Sequence, residues 1–172
     1  MSSDRQQIVN TLDRIQAAYV PTHLWPTMKP FPDEWELVDM HMTEAPTQIK
    51  QVIVMRHDLK MRRGKQIAQG AHASMSFLCR RLQNQQSVSL DDFSEIERTW
   101  LTGSFAKVCC RVNSEAELLS IYDQATTAGI EVHLITDSGK TEFHGQPTRT
   151  CLAIGPDLAE RIDPITGHLE LL

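Results

Sequence analysis

The stretch that most constrains this chain is an apolar run that leads through a basic turn into an amphipathic segment. Residues 51–55 (QVIVM) have the composition of a buried strand, and residues 58–76 (DLKMRRGKQIAQGAHASMS) continue as a turn and a helix. The basic residues at this turn are Lys60, Arg62, Arg63 and Lys65. Because the free N–H groups and the dipole of a helix start favour an anion, the sequence predicts an anion site there, with phosphate as the natural ligand.

The predicted helix, residues 64–83, presents two distinct faces when its residues are spaced at about 100° each. One narrow sector carries a cation, an amide, an imidazole and a hydroxyl, from Lys65, Gln69, His72 and Ser76. A separate apolar stripe consists of Ala68, Ala71, Met75, Leu78 and Leu82. We expect the stripe to pack on the rest of the domain and the polar sector to face a site, with Ser76 in a structural role.

Length and composition limit the chain to one main domain with an appendage, since 172 residues exceed the common domain size only slightly. No apolar run of about 18 residues occurs, and the first ten residues do not resemble a signal peptide, so we expect a cytoplasmic protein without a membrane partner. The cysteines lack CxxC spacing and are expected to be buried, reduced thiols rather than zinc ligands or disulfides. They are Cys79, Cys109, Cys110 and Cys151.

The charge is unevenly distributed. A formal net charge of −5 argues against a general nucleic-acid binder and against DNA as a partner. However, residues 56–81 contain seven basic residues and one acid, whereas residues 1–46 contain three basic residues and seven acids. The basic patch is therefore local, and the alternative to a binding role is a solvated face.

The first 46 residues are interpreted as a helical or irregular extension, and residues 47–172 as the main domain. Residues 4–19 have helical spacing of apolar side chains, residues 20–32 are interrupted by prolines, and residues 33–42 suggest a second short helix.

Residues 47–172 alternate between strand and helix patterns. The predicted strands are residues 51–55, 106–112, 131–136 and 150–154, and the predicted helices are residues 64–83, 92–101, 115–128 and 158–162. Asp91 is the expected cap of the second helix, and Ser114, with Glu117 in the capping-box position, is that of the third. The order βααβαββα predicts an α/β fold, a three-layer α/β/α sandwich around a mostly parallel, mixed four-stranded sheet.

Ligand sites in such sheets form outside the carboxyl ends of strands. The basic turn follows the first predicted strand, and the sequence DSGKT, residues 137–141, follows the third. If those strands are neighbours, Lys65 and His72 face Asp137 and Thr141 across one crevice. The plainer interpretations are that His72 is an ordinary surface or core histidine and that Asp137 belongs to a turn.

Nucleotide-binding motifs do not match. A P-loop around Gly64 and Lys65 would need glycine at position 59 and serine or threonine at position 66, where this chain has Leu59 and Gln66. No GxGxxG sequence follows any predicted strand, so we expect no nucleotide cofactor.

Three segments in order resemble the type II peptidyl-tRNA hydrolase family over residues 51–172. They are RHDLKMRRGKQIAQGAHASM, TDSGKTEF and TCLAIGPDLAERIDPITGHLELL. The resemblance implies hydrolysis of the ester between a peptide and the 3′ ribose of tRNA, without a metal or nucleotide cofactor, and it is compatible with a homodimer.

The resemblance also implies site residues. The family motifs KMGKGK, AQCSHA and DAGRT, and the threonine that opens its last strand, fall on Lys65, Gln69, His72, Asp137, Thr141 and Thr150. Asp137 would position or deprotonate water, directly or through Thr141, and Lys65 would stabilise an oxyanion or a phosphate. Gln69 would bind substrate or water, and His72 would orient neighbours or carry a proton.

Acceptor-stem phosphates would contact Lys60, Arg62 and Arg63, and Thr150 is also counted with the substrate-binding residues. Arg62 and Arg63 replace a family glycine and lysine, the loop over residues 142–149 is slightly longer than in the family, and residues 1–46 lie outside the family pattern. These departures leave an alternative open: a catalytically silent relative that binds tRNA or protein and uses its extension as a cap or to recruit a partner.

Overall fold

The computed structural model describes residues 48–85 and 87–172. The predictions for the first 46 residues lie outside this range. The strands are β1 (Ile49–Arg56), β2 (Lys107–Val112), β3 (Val132–Asp137) and β4 (Thr148–Leu158), and the helices are α1 (Arg63–Asn84), α2 (Glu95–Thr102), α3 (Glu115–Thr127) and α4 (Ala159–Thr166). Their sequence confirms the predicted order βααβαββα.

The four strands form one mixed sheet in the order β2-β1-β4-β3. β1 pairs in parallel with β2, whereas β4 is antiparallel to both β1 and β3. Three strands therefore run in one direction and β4 opposes them, which confirms the mixed sheet, although only one neighbouring pair is parallel. The reason is local, because a short connection from β3 to β4 favours an antiparallel pair, and β4 then separates β3 from β1.

Helices cover both faces of the sheet, which confirms the three-layer α/β/α sandwich. On one face, Val52 and Val54 of β1 pack against Leu118 of α3 and Ile162 of α4. On the other face, alternate residues of β1 and β4 pack against Ala73 of α1, in a cluster that also contains Ile53, Met55, Cys151 and Ala153. The alternation of side chains along a strand produces these two cores.

The face of α1 that packs is not the one expected. Its buried residues are Gln69, Ala73, Ser74, Ser76 and Phe77. In the predicted apolar stripe, Ala68, Ala71, Met75 and Leu82 are exposed, and Leu78 is half-buried. Within the polar sector, Gln69 turns toward the sheet because its side chain finds a partner there: Thr150 Oγ1 donates to Gln69 Oε1 at 2.5 Å.

Two helix starts test the predicted caps. α2 begins three residues later than expected, with Ser94 as its cap and Glu97 completing the capping box, while Asp91 lies in a separate 3₁₀ turn. Ser114 caps α3 as predicted, by accepting from the Glu117 amide at 3.1 Å. The Glu117 carboxylate accepts from the amide of Asn113 rather than from the cap residue itself.

The cysteine prediction is half confirmed. Within the described part of the chain all four cysteines are free thiols, but only Cys110 and Cys151 are buried, whereas Cys79 and Cys109 are exposed.

Among residues 48–85 and 87–172, every helix is too short or too polar to span a lipid bilayer.

Candidate active site

A cleft of about 570 Å³ lies between the start of α1 and the loop that joins β3 to β4. We call the connection, residues 138–147, the site loop. The cleft is lined by Arg62, Gly64, Lys65, Ala68, Thr141 and Glu142. It therefore combines the basic turn with the DSGKT segment, the two strand ends that the sequence selected.

The centre of this site is an ion pair across the cleft. Lys65 Nζ lies 2.6 Å from Asp137 Oδ1 and also donates to Thr141 Oγ1 at 3.0 Å. The two charged side chains are 13% and 12% exposed, which shields the pair from much of the solvent. The predicted meeting of Lys65, Asp137 and Thr141 is thus present in the structure.

Lys65 and Asp137 do not meet through neighbouring strands, as was expected, because β4 separates β1 from β3. Instead α1 crosses β4 and reaches the end of β3. Its Gln69 contacts Cys151 through the carbonyl oxygen and Thr150 through the side chain, and both partners belong to β4. The helix, rather than strand adjacency, carries Lys65 to Asp137.

A buried chain of hydrogen bonds supports the aspartate. Thr150 Oγ1 donates to Gln69 Oε1 at 2.5 Å, and Gln69 Nε2 donates to Asp137 Oδ1 at 3.1 Å. Gln69 is 2% exposed and Thr150 is 0% exposed. Thr150, predicted among the substrate-binding residues, consequently lies behind Gln69 and away from the cleft surface.

Asp137 is held in its ionised form. The hydrogen bond from Lys65 lowers the pKa of Asp137 below its ordinary value, against the opposing effect of burial, and the Gly139 amide and the Gln69 side chain lower it further. The Gly139 N–H donates to Asp137 Oδ2 at 2.9 Å. A carboxylate with a lowered pKa is a weak base, so the geometry suits the positioning of a water molecule.

Glycine is required at position 139 for this arrangement. Gly139 has a φ of +81°, and a Cβ there would lie 2.3 Å from the carbonyl oxygen of Gln146. The site loop closes tightly on itself at this point, so that the Gly139 amide can face Asp137.

His72 is not brought into the hydrogen-bonded cluster. It lies exposed on α1, and within the described residues its imidazole has no hydrogen bond that fixes it. The carbonyl oxygen of His72 accepts from Ser76 Oγ at 2.7 Å, and Ser76 is buried, as its expected structural role requires. His72 therefore shares a helix sector with Lys65 and Gln69 but is not among the residues that line the cleft.

The predicted phosphate-binding residues lie exposed at the start of α1. Lys60, Arg62 and Arg63 are all exposed, and the first turn of α1 has no acidic residue. Positive charge is therefore concentrated where the helix dipole also favours an anion.

Two residues of the site loop were missed by sequence reasoning. Glu142 accepts from Arg62 Nε at 2.6 Å, and the Phe143 ring lies under Lys65, with 5.6 Å between Nζ and the ring centroid. The only signal in the sequence was a carboxylate directly after Thr141, facing a turn rich in cations.

A network of ion pairs next to the basic turn was also not predicted from the sequence. Arg56, at the end of β1, donates to both oxygens of Asp58 and to Glu115 at 2.9 Å, and Arg149 donates to the same Glu115 at 2.8 Å. The hydrogen bond from Arg56 lowers the pKa of Asp58 despite partial burial. These contacts join the basic turn to α3 and β4.

The main domain matches one family of known proteins. The family described as Peptidyl-tRNA hydrolase PTH2 matches residues 49–172. The "Peptidyl-tRNA hydrolase" of Methanocaldococcus jannaschii is 42% identical over 125 residues, which is 72% of this chain and 100% of the relative.

Two other relatives match the same share of this chain. The "Peptidyl-tRNA hydrolase" of Methanothermobacter thermautotrophicus is 44% identical over 124 residues, which is 72% of this chain and 100% of the relative. The "Probable peptidyl-tRNA hydrolase 2" of Drosophila melanogaster is 37% identical over 123 residues, 72% of this chain and 61% of the relative. The chain therefore belongs to the peptidyl-tRNA hydrolase PTH2 family.

Proposed function

We propose that this protein hydrolyses the ester bond between a peptide, or an N-blocked amino acid, and the 3′ ribose of tRNA, and so returns tRNA for reuse. Membership of the PTH2 family supports the reaction. The observation that carries the proposal is the Asp137 carboxylate, which Lys65 and Gln69 fix beside a cleft lined by Lys65 and Thr141.

Ester hydrolysis needs a positioned water molecule, stabilisation of an oxyanion and a proton for the leaving oxygen. We assign the first task to Asp137 together with Thr141. Because its pKa is lowered, Asp137 stays ionised and accepts a hydrogen bond from water. The Thr141 hydroxyl accepts from Lys65 and keeps its own proton to donate.

Lys65 is assigned to the oxyanion. An ammonium group has three N–H donors, and Lys65 uses two of them on Asp137 and Thr141. The third N–H donor is left for the substrate, where it would stabilise the negative charge that develops on the carbonyl oxygen of the ester.

Gln69 and His72 complete the proposed machinery. Since Gln69 is nearly inaccessible, its role is to orient Asp137, with Thr150 behind it fixing which way the amide points. His72 would pass the proton lost by the attacking water on to the leaving ribose oxygen through a water molecule, since an imidazole can both accept and donate a proton.

The tRNA partner would bind through its acceptor-stem phosphates, which we place on Lys60, Arg62 and Arg63. Such contacts ignore sequence and weaken as salt rises, since each neutralised phosphate releases a counterion. We place the reaction in the cytoplasm, where translation supplies the substrate. A homodimer remains a prediction from family resemblance.

The experiment is release of an N-acetylated amino acid from its tRNA by the full-length protein, compared with the variants Lys65→Ala and Asp137→Ala. We expect turnover by the wild type and a loss of about 100-fold or more in kcat for each variant, as for removal of one oxyanion donor elsewhere. Circular dichroism must show that both variants are folded. Binding of tRNA without turnover by the wild type would favour the silent relative instead.

A further inference from the structure

Two contacts join the start of α1 to the site loop side by side. Arg62 Nε donates to Glu142 Oε1 at 2.6 Å, and Lys65 Nζ donates to Thr141 Oγ1 at 3.0 Å. Arg62 and Lys65 are about one helical turn apart, and their partners are consecutive in the loop. All four residues line the cleft, so the second ion pair lies at the mouth of the same site.

The two members of this second pair differ sharply in exposure. The Arg62 side chain is 79% exposed, whereas that of Glu142 is 14% exposed. The carboxylate is therefore the fixed member, and the guanidinium extends from it into solvent. Glu142 therefore fixes the position of the exposed Arg62 guanidinium at the rim of the cleft.

The backbone around Glu142 keeps that carboxylate in position. The Phe143 and Gly145 amides donate to the Gly139 carbonyl oxygen at 3.1 and 3.0 Å, and the Gln146 amide donates to the Phe143 carbonyl oxygen at 2.8 Å. Phe143 packs against the core beneath α1. The loop that carries Glu142 is thus tied to itself and to the domain.

The bond to Nε leaves the outer edge of the guanidinium open. A guanidinium has five N–H donors, and the structure gives Arg62 one bond, through Nε. Among the described residues no acceptor is recorded for Nη1 or Nη2. These two nitrogens are the donors that bind a phosphate in a bidentate manner.

We propose that Glu142 is a positioning residue, which holds the Arg62 guanidinium over the mouth of the cleft so that it binds a phosphate near the 3′ end of tRNA. This inference rests on the proposed function, since it names the part of the substrate that meets the site. Lys60 and Arg63 are exposed in the same turn, so the rim remains attractive to an anion.

The test is a double-mutant cycle on the full-length protein. R62Q, E142Q and the double variant are compared with the wild type for the Kd of uncharged tRNA and for KM and kcat on N-acetyl-aminoacyl-tRNA. We expect R62Q to raise Kd and KM about tenfold. The plot of log K against log salt should also become less steep, by about the amount that one phosphate contact contributes. E142Q should raise Kd and KM about threefold with little change in kcat.

The expected signature is non-additivity. Once Arg62 is gone, E142Q should have no further effect, whereas with R63Q, a matched loss of charge in the same turn, the effects should add. A fall in Kd on E142Q would overturn the proposal, because the carboxylate would then compete with phosphate for Arg62. Additive effects of R62Q and E142Q would overturn it as well.

The binding measurement separates this inference from the proposed reaction. If the wild type does not cleave the ester, the proposed function fails, while the Kd cycle on uncharged tRNA still decides the role of Glu142. If the cycle is additive but the wild type cleaves the ester, only the clamp is wrong. Thermal melting of each variant checks that the fold is kept.

Discussion

Lys65 Nζ lies 2.6 Å from Asp137 Oδ1, so the first turn of α1 is joined to the last residue of β3 by a largely shielded ion pair. The pair has two consequences. It keeps the carboxylate ionised, and it fixes the ammonium at the wall of the cleft with one donor left for substrate. The proposed chemistry depends on both.

The titration of Asp137 tests the first consequence. Its pKa is lowered from 3.8 in the native state, so its carboxylate should be ionised throughout the neutral range and titrate below that value. Lys65→Met removes the main cause of the shift and should raise the pKa. Carbon-13 NMR of the Asp137 carboxyl group would measure both midpoints. Equal midpoints would show that Lys65 does not control the charge of Asp137.

The buried support behind Asp137 predicts a graded loss of activity. Thr150→Val removes the donor to Gln69 Oε1 and leaves that buried oxygen unpaired, which should cost about 1–3 kcal/mol of unfolding free energy. We also expect kcat to fall several-fold, because the Gln69 amide is no longer held toward Asp137.

Thr150→Ser is the matched control, since it keeps the hydroxyl group. Urea denaturation and steady-state kinetics should place it much closer to the wild type than Thr150→Val. If the two variants behave alike, the hydroxyl group of Thr150 does not act through Gln69.

Two glycines of the site loop offer a matched pair. Gly139→Ala would place a Cβ 2.3 Å from the Gln146 carbonyl oxygen, whereas a Cβ at Gly145 would meet nothing within 4 Å. Both glycines have positive φ, so both variants should show backbone strain, of the order of 1 kcal/mol. Only Gly139→Ala should also displace the loop and reduce kcat strongly. Melting temperature and kcat, measured together, separate strain from displacement.

An ion cluster outside the site predicts a pH dependence of stability. Burial acts to raise the pKa of Glu131, but the hydrogen bond and charge of His133 and the charge of Arg81 outweigh it, and the pKa falls below 4.5. Because the native pKa is lowered, this stabilisation is present above the unfolded-state value and is lost as the pH falls through the native one.

Urea denaturation of the wild type and of Glu131→Gln at pH 7 and near pH 3.5 measures this effect. The wild type should be the more stable protein at pH 7, and its advantage should shrink at the acidic pH. A constant difference between the two proteins would contradict the assignment to Glu131.

Much of the architecture could be predicted from the sequence because local signals were strong. The order of elements follows from apolar periodicity, and the strand-end rule selected both sides of the cleft, Lys65 on one and Asp137 on the other. Ser114 was identified as a cap because the hydroxyl and Glu117 stand at the spacing that caps require.

What could not be predicted depends on long-range pairing. The residues of β4 give no sign in the sequence that this strand lies between β1 and β3. That position decides which strands are neighbours. The buried face of α1 was assigned wrongly because a periodicity pattern counts apolar residues and does not show which polar residues have hydrogen-bond partners. In the structure, Gln69 is buried together with its partner Thr150. The contact between Arg62 and Glu142 joins residues 80 positions apart, so no helix or strand period reveals it.

The proposed reaction depends on the Asp137 carboxylate more than on any other group. The decisive measurement is the single-turnover rate of N-acetyl-aminoacyl-tRNA cleavage by Asp137→Asn, which keeps the shape of the side chain and removes its charge. We predict a loss of at least about 100-fold with a melting temperature close to that of the wild type. A folded Asp137→Asn variant that cleaves the ester within about fivefold of the wild-type rate, well under the effect expected of a catalytic group, would contradict the account.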